Sequence, residues 1–223
     1  MKLTIVNCSP KKDKGNTALV IRAFKRGFEK KSGICKIMLI NEIDCEAAAK
    51  KLFMESEALL IAFPLYSGGM PAAGARLLRN WIGLKGRRPD LKVGFLTQYG
   101  VKEARAARGE ELRLKAACVE LNVDFAGMII KGGVEGIRLY PFFIRKKLMR
   151  GFSRLGTYLA ANGRFDQTAL DKFSAPEILK KNERVTSGNR IKVAFANRFF
   201  WRAQLKRNGA LKQYADKPLL NES

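Results

Sequence analysis

Short runs rich in apolar and β-branched residues alternate with amphipathic stretches along the first part of the chain. The runs cover residues 2–7, 34–40, 58–63, 92–97 and 124–131. Runs of this length, when turn residues bound them, are typical of strands that are buried on both faces of a sheet. Each connection is too long for a hairpin, so the alternation predicts an α/β fold in which five parallel strands carry helices on both sides.

Apolar residues at helical spacing predict the connecting helices. The first helix spans about 17–31, the third follows Pro71, which suits a first helical turn, and the fourth spans about 104–121. The residues expected on the buried faces are Val20, Ile21, Phe24 and Phe28 in the first helix, Ala48, Ala49, Leu52 and Phe53 in the second, and Leu77, Leu78, Trp81 and Ile82 in the third.

A longer amphipathic helix is predicted after Gly136. Its apolar positions recur at helical spacing among basic residues, and the two sets are Leu148, Phe152, Leu155 and Leu159, and Arg145, Lys146, Lys147, Arg150 and Arg154. A core helix with a solvated basic face is favoured over a basic helix that lies on a membrane surface. We expect one α/β domain over residues 1–164.

Residues 165–223 form a less regular extension that is expected to pack on the same domain. Between Val193 and Lys206 the extension interleaves Phe199, Phe200 and Trp201 with basic residues. Such interleaving suits the binding of single-stranded nucleic acid, and it equally suits a terminal helix docked on a domain.

Three loops of the predicted sheet are candidates for a binding site. In doubly wound sheets, ligands bind beyond the carboxyl ends of the strands, where the order of the strands reverses. With the strand order 2-1-3-4-5, the loops over 8–17, 64–70 and 97–103 meet at one crevice.

The segment from Ser9 to Thr17 suits a phosphate group. It joins a strand to a helix, so free backbone N–H groups gather at the positive end of a helix dipole. Ser9, Asn16 and Thr17 add side-chain donors. The segment lacks the Gly-Lys-Ser/Thr end of a triphosphatase P-loop and the Gly-x-Gly-x-x-Gly of a Rossmann site. A capped surface loop with solvated lysines is equally compatible with the pattern.

Charge is the one extreme in the composition of this 223-residue chain. It contains 43 Lys and Arg against 20 Asp and Glu, which gives a formal net charge of +23. A nucleic acid, an anionic surface or an acidic partner would suit this charge, and so would a generally basic surface. The basic residues are scattered as pairs and not packed into one arm, which favours the generally basic surface.

Cysteine and histidine usage argues against a metal site. Cys8, Cys35, Cys45 and Cys118 form no C-x-x-C pair, and the chain has no His. A zinc site, an iron–sulfur cluster and a disulfide scaffold are therefore not expected. No secretory signal or membrane span is visible in the sequence, which predicts a soluble protein of the reducing cytoplasm.

Three segments carry a resemblance to a known family. They are Ile-Val-Asn-Cys-Ser-Pro-Lys-x-x-x-Gly-Asn-Thr at 5–17, Ala-Phe-Pro-Leu-Tyr-Ser-Gly-Gly-Met-Pro at 62–71 and Gln-Tyr-Gly-Val-Lys-Glu-Ala at 98–104. In this order and spacing they resemble the flavodoxin-like NAD(P)H-dependent FMN reductases over about residues 1–135. The resemblance implies a flavodoxin-like doubly wound sheet and an oxidoreductase.

The resemblance also implies bound FMN, with NADPH or NADH as the hydride donor. The residues that would hold the FMN phosphate are Ser9, Lys11, Gly15, Asn16 and Thr17. Those that would border the flavin ring are Pro64, Leu65, Tyr66, Ser67, Gly68, Gly69, Met70, Thr97, Gln98, Tyr99 and Gly100. Tyr66 and Tyr99 can supply flat walls for the ring. No catalytic side chain is needed, because the chemistry takes place at flavin N5.

The implied reaction passes electrons from the flavin to a small-molecule or protein acceptor. A homodimer is implied as well, because such enzymes commonly cover the ring with a neighbouring subunit. The chain departs from many relatives at residues 100–104, where Gly-Val-Lys-Glu-Ala replaces Gly-Phe-Pro-Glu-Ala. It also lacks the clustered cysteines of the iron–sulfur flavoproteins.

Two other functions are compatible with the sequence. One is a flavodoxin-type electron carrier without NAD(P)H activity, although carriers that dock on basic reductases are usually acidic. The other is a basic protein on a flavodoxin-like scaffold that binds nucleic acid or a membrane surface through 145–154 and 198–207.

Overall fold

Five parallel strands form a single sheet in the computed structural model, which describes residues 1–179 and 202–210. The strands are β1 (Lys2–Asn7), β2 (Ile34–Leu39), β3 (Ala58–Pro64), β4 (Lys92–Gln98) and β5 (Asp124–Lys131). Their order is β2-β1-β3-β4-β5, and every neighbouring pair is parallel. The predicted strand order and the doubly wound fold class are confirmed.

Six helices lie in the same part of the chain as the sheet. They are α1 (Asn16–Glu29), α2 (Glu46–Glu55), α3 (Ala72–Arg79), α4 (Arg108–Leu121), α5 (Phe142–Asn162) and α6 (Gln167–Ser174). Their lengths are ordinary for connections in an α/β domain, apart from that of α5. Among the described residues, no helix has both the length and the hydrophobicity that crossing a bilayer requires.

The chain divides into two compact units, Met1–Ile178 and Leu179–Ser223. The first unit contains the sheet and the helices α1–α6. In the second unit, one short helix is described, α7 (Arg202–Arg207). The predicted domain boundary after residue 164 remains a prediction, and the aromatic residues Phe199, Phe200 and Trp201 lie outside the described residues.

The sheet separates two hydrophobic cores, and β3 contributes to both. Leu59, Ile61 and Phe63 lie in one core, whereas Leu60 and Ala62 lie in the other. This alternation follows from the two-residue period of a strand. Because both faces are covered, β3 is buried at every position, as its continuous apolar run predicts.

Different helices complete the two cores. On one side, Phe53 of α2 and Leu114 of α4 pack with Trp81, which follows α3. On the other side, Phe24 of α1 and Phe152 of α5 pack together with residues that include Phe165, and Leu170 of α6 joins them. The apolar faces predicted for α1 and α5 are therefore the faces that pack on the sheet.

One predicted core residue of the third helix is wrong. Ile82 is 54% exposed. The helix α3 ends at Arg79, and Ile82 belongs to a separate 3-10 turn, Ile82–Leu84. The helical spacing that places Trp81 in the core therefore does not extend to Ile82.

Two glycines allow α1 and α5 to approach each other closely. A Cβ on Gly27 would lie 1.8 Å from the main-chain oxygen of Ser153, and a Cβ on Gly156 would lie 2.1 Å from that of Phe24. The hydroxyl of Thr157 donates to the main-chain oxygen of Gly27 at 2.9 Å. The backbones of the two helices are thus in direct contact, with no room for a side chain between them.

Substitution of Gly156 by Ala is expected to destabilise the fold. The added methyl group must push two helices apart, and overpacking of this kind costs about 1–3 kcal/mol. Urea unfolding of the wild type and of Gly156→Ala measures the difference. Gly109→Ala in α4 is the control, because that position has open space and alanine is the better helix former by up to about 1 kcal/mol. Equal stability of the two variants would contradict the close contact.

Candidate functional site

Three loops meet at the carboxyl ends of the strands in the middle of the sheet. Loop 1 (residues 8–15) follows β1, loop 2 (65–71) follows β3, and loop 3 (99–103) follows β4. The chain runs outward from β1 to β2, then crosses back to β3 on the other side of β1. The strand order therefore reverses between β1 and β3, which is where doubly wound sheets bind their ligands.

Gln98, at the end of β4, joins the segments that carry these loops. Its side-chain amide donates to the hydroxyl of Thr17 at 3.1 Å, and its main-chain oxygen accepts from the N–H of Leu65 at 3.1 Å. Gln98 and Thr17 are both buried. The neighbouring Thr97 donates from its hydroxyl to the main-chain oxygen of Phe63 at 3.2 Å. One buried network therefore positions the start of α1 relative to the ends of β3 and β4.

The side chain of Asn7, at the end of β1, stabilises the conformation of loop 1 through two hydrogen bonds. The side chain of Asn7 accepts from the N–H of Ser9 at 3.1 Å and donates to the main-chain oxygen of Lys12 at 2.9 Å. The Ser9 hydroxyl accepts from the N–H of Lys11 at 3.3 Å. A Cβ on Gly15 would lie 3.0 Å from the Ser9 Oγ. The side-chain links of Asn7 and Ser9 keep the loop close to the end of β1.

The amino-terminal end of α1 has the features of an anion site. No side chain caps the helix, and the first four N–H groups of any α-helix lack partners within the helix. The hydroxyls of Ser9 and Thr17, which are both buried, act as acceptors in the protein, and these bonds do not use the hydroxyl hydrogens. Lys11 and Lys14 are exposed beside them.

The side chain of Asn16 serves a structural contact. Its amide donates to the main-chain oxygens of Val134 and Glu135, at 3.2 and 2.8 Å. Arg138 donates to the main-chain oxygen of Lys14 at 2.5 Å. Sequence reasoning missed these contacts, because the residues involved lie far apart in the chain and form no motif. They bring the segment that follows β5 against loop 1.

Loop 2 is a tight hairpin with an exposed tip. The N–H of Tyr66 donates to the oxygen of Gly69 at 2.9 Å, and the reverse bond is 3.0 Å. Ser67 and Gly68 have φ values of +49° and +83°, as a type I′ turn requires. Tyr66 is 50% exposed, and a Cβ on Gly68 or Gly69 would meet no atom within 4 Å. The hairpin therefore exposes the side chain of Tyr66 next to the main chain of two glycines.

A buried carboxylate holds the end of loop 2. Glu110 of α4 accepts from the N–H of Met70 at 3.1 Å. The guanidinium of Arg113 donates to both oxygens of Glu110 at 2.7 Å, which raises the pKa of Arg113. Glu110 is almost fully buried, so this bidentate pair compensates for the burial of its charge.

Loop 3 places its tyrosine inside the core. Tyr99 is 7% exposed, and its hydroxyl donates to the main-chain oxygens of Glu103 and Ala104 at 3.0 and 3.3 Å. Burial raises the pKa of Tyr99 to about 12. Gly100 is exposed, and a Cβ there would lie 2.3 Å from the carboxylate of Glu135. Of the two tyrosines that were expected as walls, Tyr66 is the one that presents its side chain at the surface.

The cysteines near the sheet are buried, which disfavours the reactive thiolate form. Burial raises the pKa of Cys8 and of Cys118 to about 12, and it raises that of Cys35 to about 11. Cys45 is exposed and accepts from the N–H of Ala48 at the start of α2. Within the part of the chain that the structure describes, no three Cys, Asp or Glu converge as metal ligands.

The sequence matches no protein-family model and no curated protein. The fold, in contrast, matches solved structures. An FMN-dependent NADH-azoreductase from Bacillus anthracis, solved in complex with FMN, is 11% identical, with a TM-score of 0.56 over 72% of this chain and 100% of its own. An NAD(P)H:quinone oxidoreductase from Methanothermobacter marburgensis is 16% identical, with a TM-score of 0.53 over 71% and 96%.

A third match is the Trp repressor binding protein from Bacillus subtilis. It is 15% identical, with a TM-score of 0.52, and the match covers 69% of this chain and 96% of its own. Likeness at these identities establishes the fold, which is the flavodoxin-like doubly wound sheet.

Substitution of Thr17 by Val is expected to destabilise the protein by about 1–3 kcal/mol, because it leaves the buried amide of Gln98 without its acceptor. The double variant Thr17→Val, Gln98→Leu is expected to lose less stability than the two single variants lose together, since both substitutions delete the same bond. Urea unfolding of the four proteins measures the coupling, with exposed Thr168→Val as a control. Strict additivity would contradict the bond between Thr17 and Gln98.

Alkylation of the native protein at pH 8 is expected to modify Cys45 first. Cys8 and Cys118 remain thiols at this pH because their pKa values are raised to about 12, and the thiolate is the reactive form. They should react on the order of a hundredfold more slowly, or more slowly still. Mass spectrometry of the labelled peptides measures the rates, and labelling in urea, where the cysteines should react alike, is the control. Rapid labelling of Cys8 would contradict its burial.

Proposed function

We propose that the protein is an FMN-dependent oxidoreductase that takes hydride from NADPH or NADH. The observation that carries the proposal is the convergence of loops 1, 2 and 3 at the switch point of the sheet, where Gln98 links the segments that bear them. The three segments with the family resemblance contain these loops. Two of the matched structures are also named as NADH- or NAD(P)H-dependent oxidoreductases, and one of them was solved with FMN.

Loop 1 and the start of α1 fit the phosphate of FMN. A phosphate dianion needs several N–H and O–H donors and a nearby cation. The uncapped first turn of α1 offers N–H groups, and Ser9 and Thr17 retain hydroxyl hydrogens. Lys11 adds a charge, while Gly15 and Asn16 shape the loop and attach it to the segment after β5.

Loops 2 and 3 fit the ring of FMN. A flavin needs a flat wall and backbone groups that can come close to its edge. Tyr66 offers an exposed aromatic side chain, and Gly68 and Gly69 leave open space above the backbone. In loop 3, the side chain of Glu135 occupies the space beside Gly100. Of the other residues of the predicted ring site, five form the hydrogen bonds that hold the two loops in position, namely Leu65, Met70, Thr97, Gln98 and Tyr99. Pro64 ends β3, and Ser67 lies at the turn of the hairpin.

The residues of this chain bind and orient, and they need not move protons. When bound, FMN would supply the chemistry, since its N5 accepts hydride from NAD(P)H and its reduced form can release electrons to a small-molecule or protein acceptor. The chain has no His, so a site without a side-chain acid or base agrees with its composition. A homodimer and a cytoplasmic location belong to the same proposal, both taken from the sequence.

The absorption spectrum of the purified protein tests the proposal. We expect a flavin band, either as isolated or after addition of FMN, that is lost when NADPH or NADH is added without oxygen. A flavin band that persists with both nucleotides would instead favour an electron carrier. Failure to bind FMN at all would overturn the proposal.

Lys11→Gln separates phosphate binding from ring binding in the same experiment. The lost charge is expected to weaken FMN binding by roughly three- to tenfold, or about 1 kcal/mol, and to leave riboflavin binding unchanged. Quenching of flavin fluorescence measures both affinities. Lys30→Gln is the matched control, because Lys30 lies at the opposite end of α1. An equal effect of the two substitutions would place the phosphate elsewhere.

A further inference from the structure

A second cavity lies beyond the carboxyl end of β5, between α5, α6 and loop 3. Its volume is about 940 Å³, which is at the upper end of the range for small-molecule sites. Ile144, Leu148 and Leu155 of α5 line one side, and Phe173 of α6 lines another. The interior of the cavity is therefore mainly apolar.

The cavity is distinct from the proposed flavin site. None of the residues predicted to hold the FMN phosphate or to border the ring lines it. The two share only the neighbourhood of loop 3, where Lys102 belongs to the cavity and Gly100 to the flavin site. A ligand of the cavity therefore has to be recognised by other residues.

The charged side chains that line the cavity are all basic. They are Lys102, Lys131, Lys147, Arg154 and Lys172. Among the described residues, none of them forms an ion pair. The nearby acids Asp171 and Glu177 are both paired with Arg108, at 2.9 Å. In the described part of the chain, the five lining charges therefore have no carboxylate in direct contact, while Asp171 and Glu177 share Arg108 with Glu111.

Lys131 is the most enclosed of these basic residues. Its ammonium donates to the main-chain oxygens of Phe173 and Ala175, at 2.6 and 3.3 Å, and lies 5.0 Å from the centre of the Phe173 ring. An ammonium has three donors, so one remains for a ligand. Burial lowers the pKa of Lys131, and an anion beside it would offset that cost.

The uniform charge extends along the whole of α5. No acidic residue occurs between Glu135 and Asp166, whereas the same stretch contains Arg145, Lys146 and Arg150 in addition to the cavity residues. A cationic amphiphile would be repelled by these side chains. An anionic head group would be attracted to them, while an apolar body would displace water from the side chains of Leu148 and Phe173.

We propose that this cavity binds an anionic amphiphile, with its apolar chain against α5 and α6 and its carboxylate or phosphate group at the basic residues. Such a molecule can come from solution as a free fatty acid or alkyl phosphate, or from a bilayer as an anionic lipid. The two sources share the chemistry that the cavity recognises. This site does not depend on the proposed flavin function.

Calorimetry on the full chain with dodecanoate and dodecyl phosphate, each as monomers in solution, tests the site. We expect saturable binding of both, and no saturable binding of dodecyltrimethylammonium, which has the same chain and the opposite charge. Flotation with neutral vesicles, with and without an anionic lipid, distinguishes a bilayer source. Absence of binding in both experiments, or equal binding of the cationic amphiphile, would overturn the proposal.

Paired variants on α5 separate the cavity from general surface charge. Lys147→Gln with Arg154→Gln removes two lining charges and is expected to weaken binding tenfold or more. Arg145→Gln with Arg150→Gln removes two charges from the same helix outside the cavity lining, and it is expected to change binding less than twofold. Equal losses in the two pairs would mean that the helix attracts anions without a site, and would overturn the proposal.

A third variant tests the apolar part of the cavity. Ala169→Phe fills space in the lining and leaves the basic residues in place. It is expected to weaken binding of both dodecyl anions tenfold or more, while a melting temperature near that of the wild type shows that the fold is kept. A variant that folds and binds as the wild type does would show that the chain of the ligand lies elsewhere, against the proposal.

Discussion

The hydrogen bond from the side chain of Gln98 to Thr17 is the contact on which the arrangement of the crevice depends. A buried amide must find partners within the protein, and the side chain of Gln98 finds one in Thr17 on the first turn of α1. The main-chain oxygen of Gln98 accepts from the N–H of Leu65. The end of β4 is therefore linked both to the uncapped helix and to the start of loop 2. The bonds of Asn16 to the segment after β5, which in turn bonds loop 3, add a second link between the phosphate and ring portions of the proposed site.

The close contact between α1 and α5 supports the same arrangement from one face of the sheet. Gly27 and Gly156 let the two backbones touch, which fixes the carboxyl-terminal half of α1. The helix α1 is then positioned at two places, by glycine packing in its carboxyl-terminal half and by Gln98 at its start. The anion site at this end is therefore attached to a rigid part of the fold, as precise binding sites require.

Basic residues that are far apart in the sequence lie close together in the folded protein. Lys102, Lys131 and Lys172 come from a loop, a strand and a helix, yet they line one cavity together with two residues of α5. A scatter of basic pairs along the chain favoured a generally basic surface. The fold brings distant members of this scatter together around an apolar interior, and that combination is what suggests an anionic amphiphile.

The sequence by itself determined the strands and helices, because continuous apolar runs and helical spacing reflect burial that each segment carries locally. The strand order, and with it the meeting of the three loops, was implied by the family resemblance, and the structure confirms the order. The tertiary structure decided how single side chains are used. Tyr99 lies in the core, Ile82 is exposed, and the amide of Asn16 reaches main-chain oxygens of Val134 and Glu135. These outcomes depend on contacts between residues far apart in the chain, which no local pattern encodes. The basic cavity arises in the same way, since its walls come from segments that meet only when the sheet and its helices have packed.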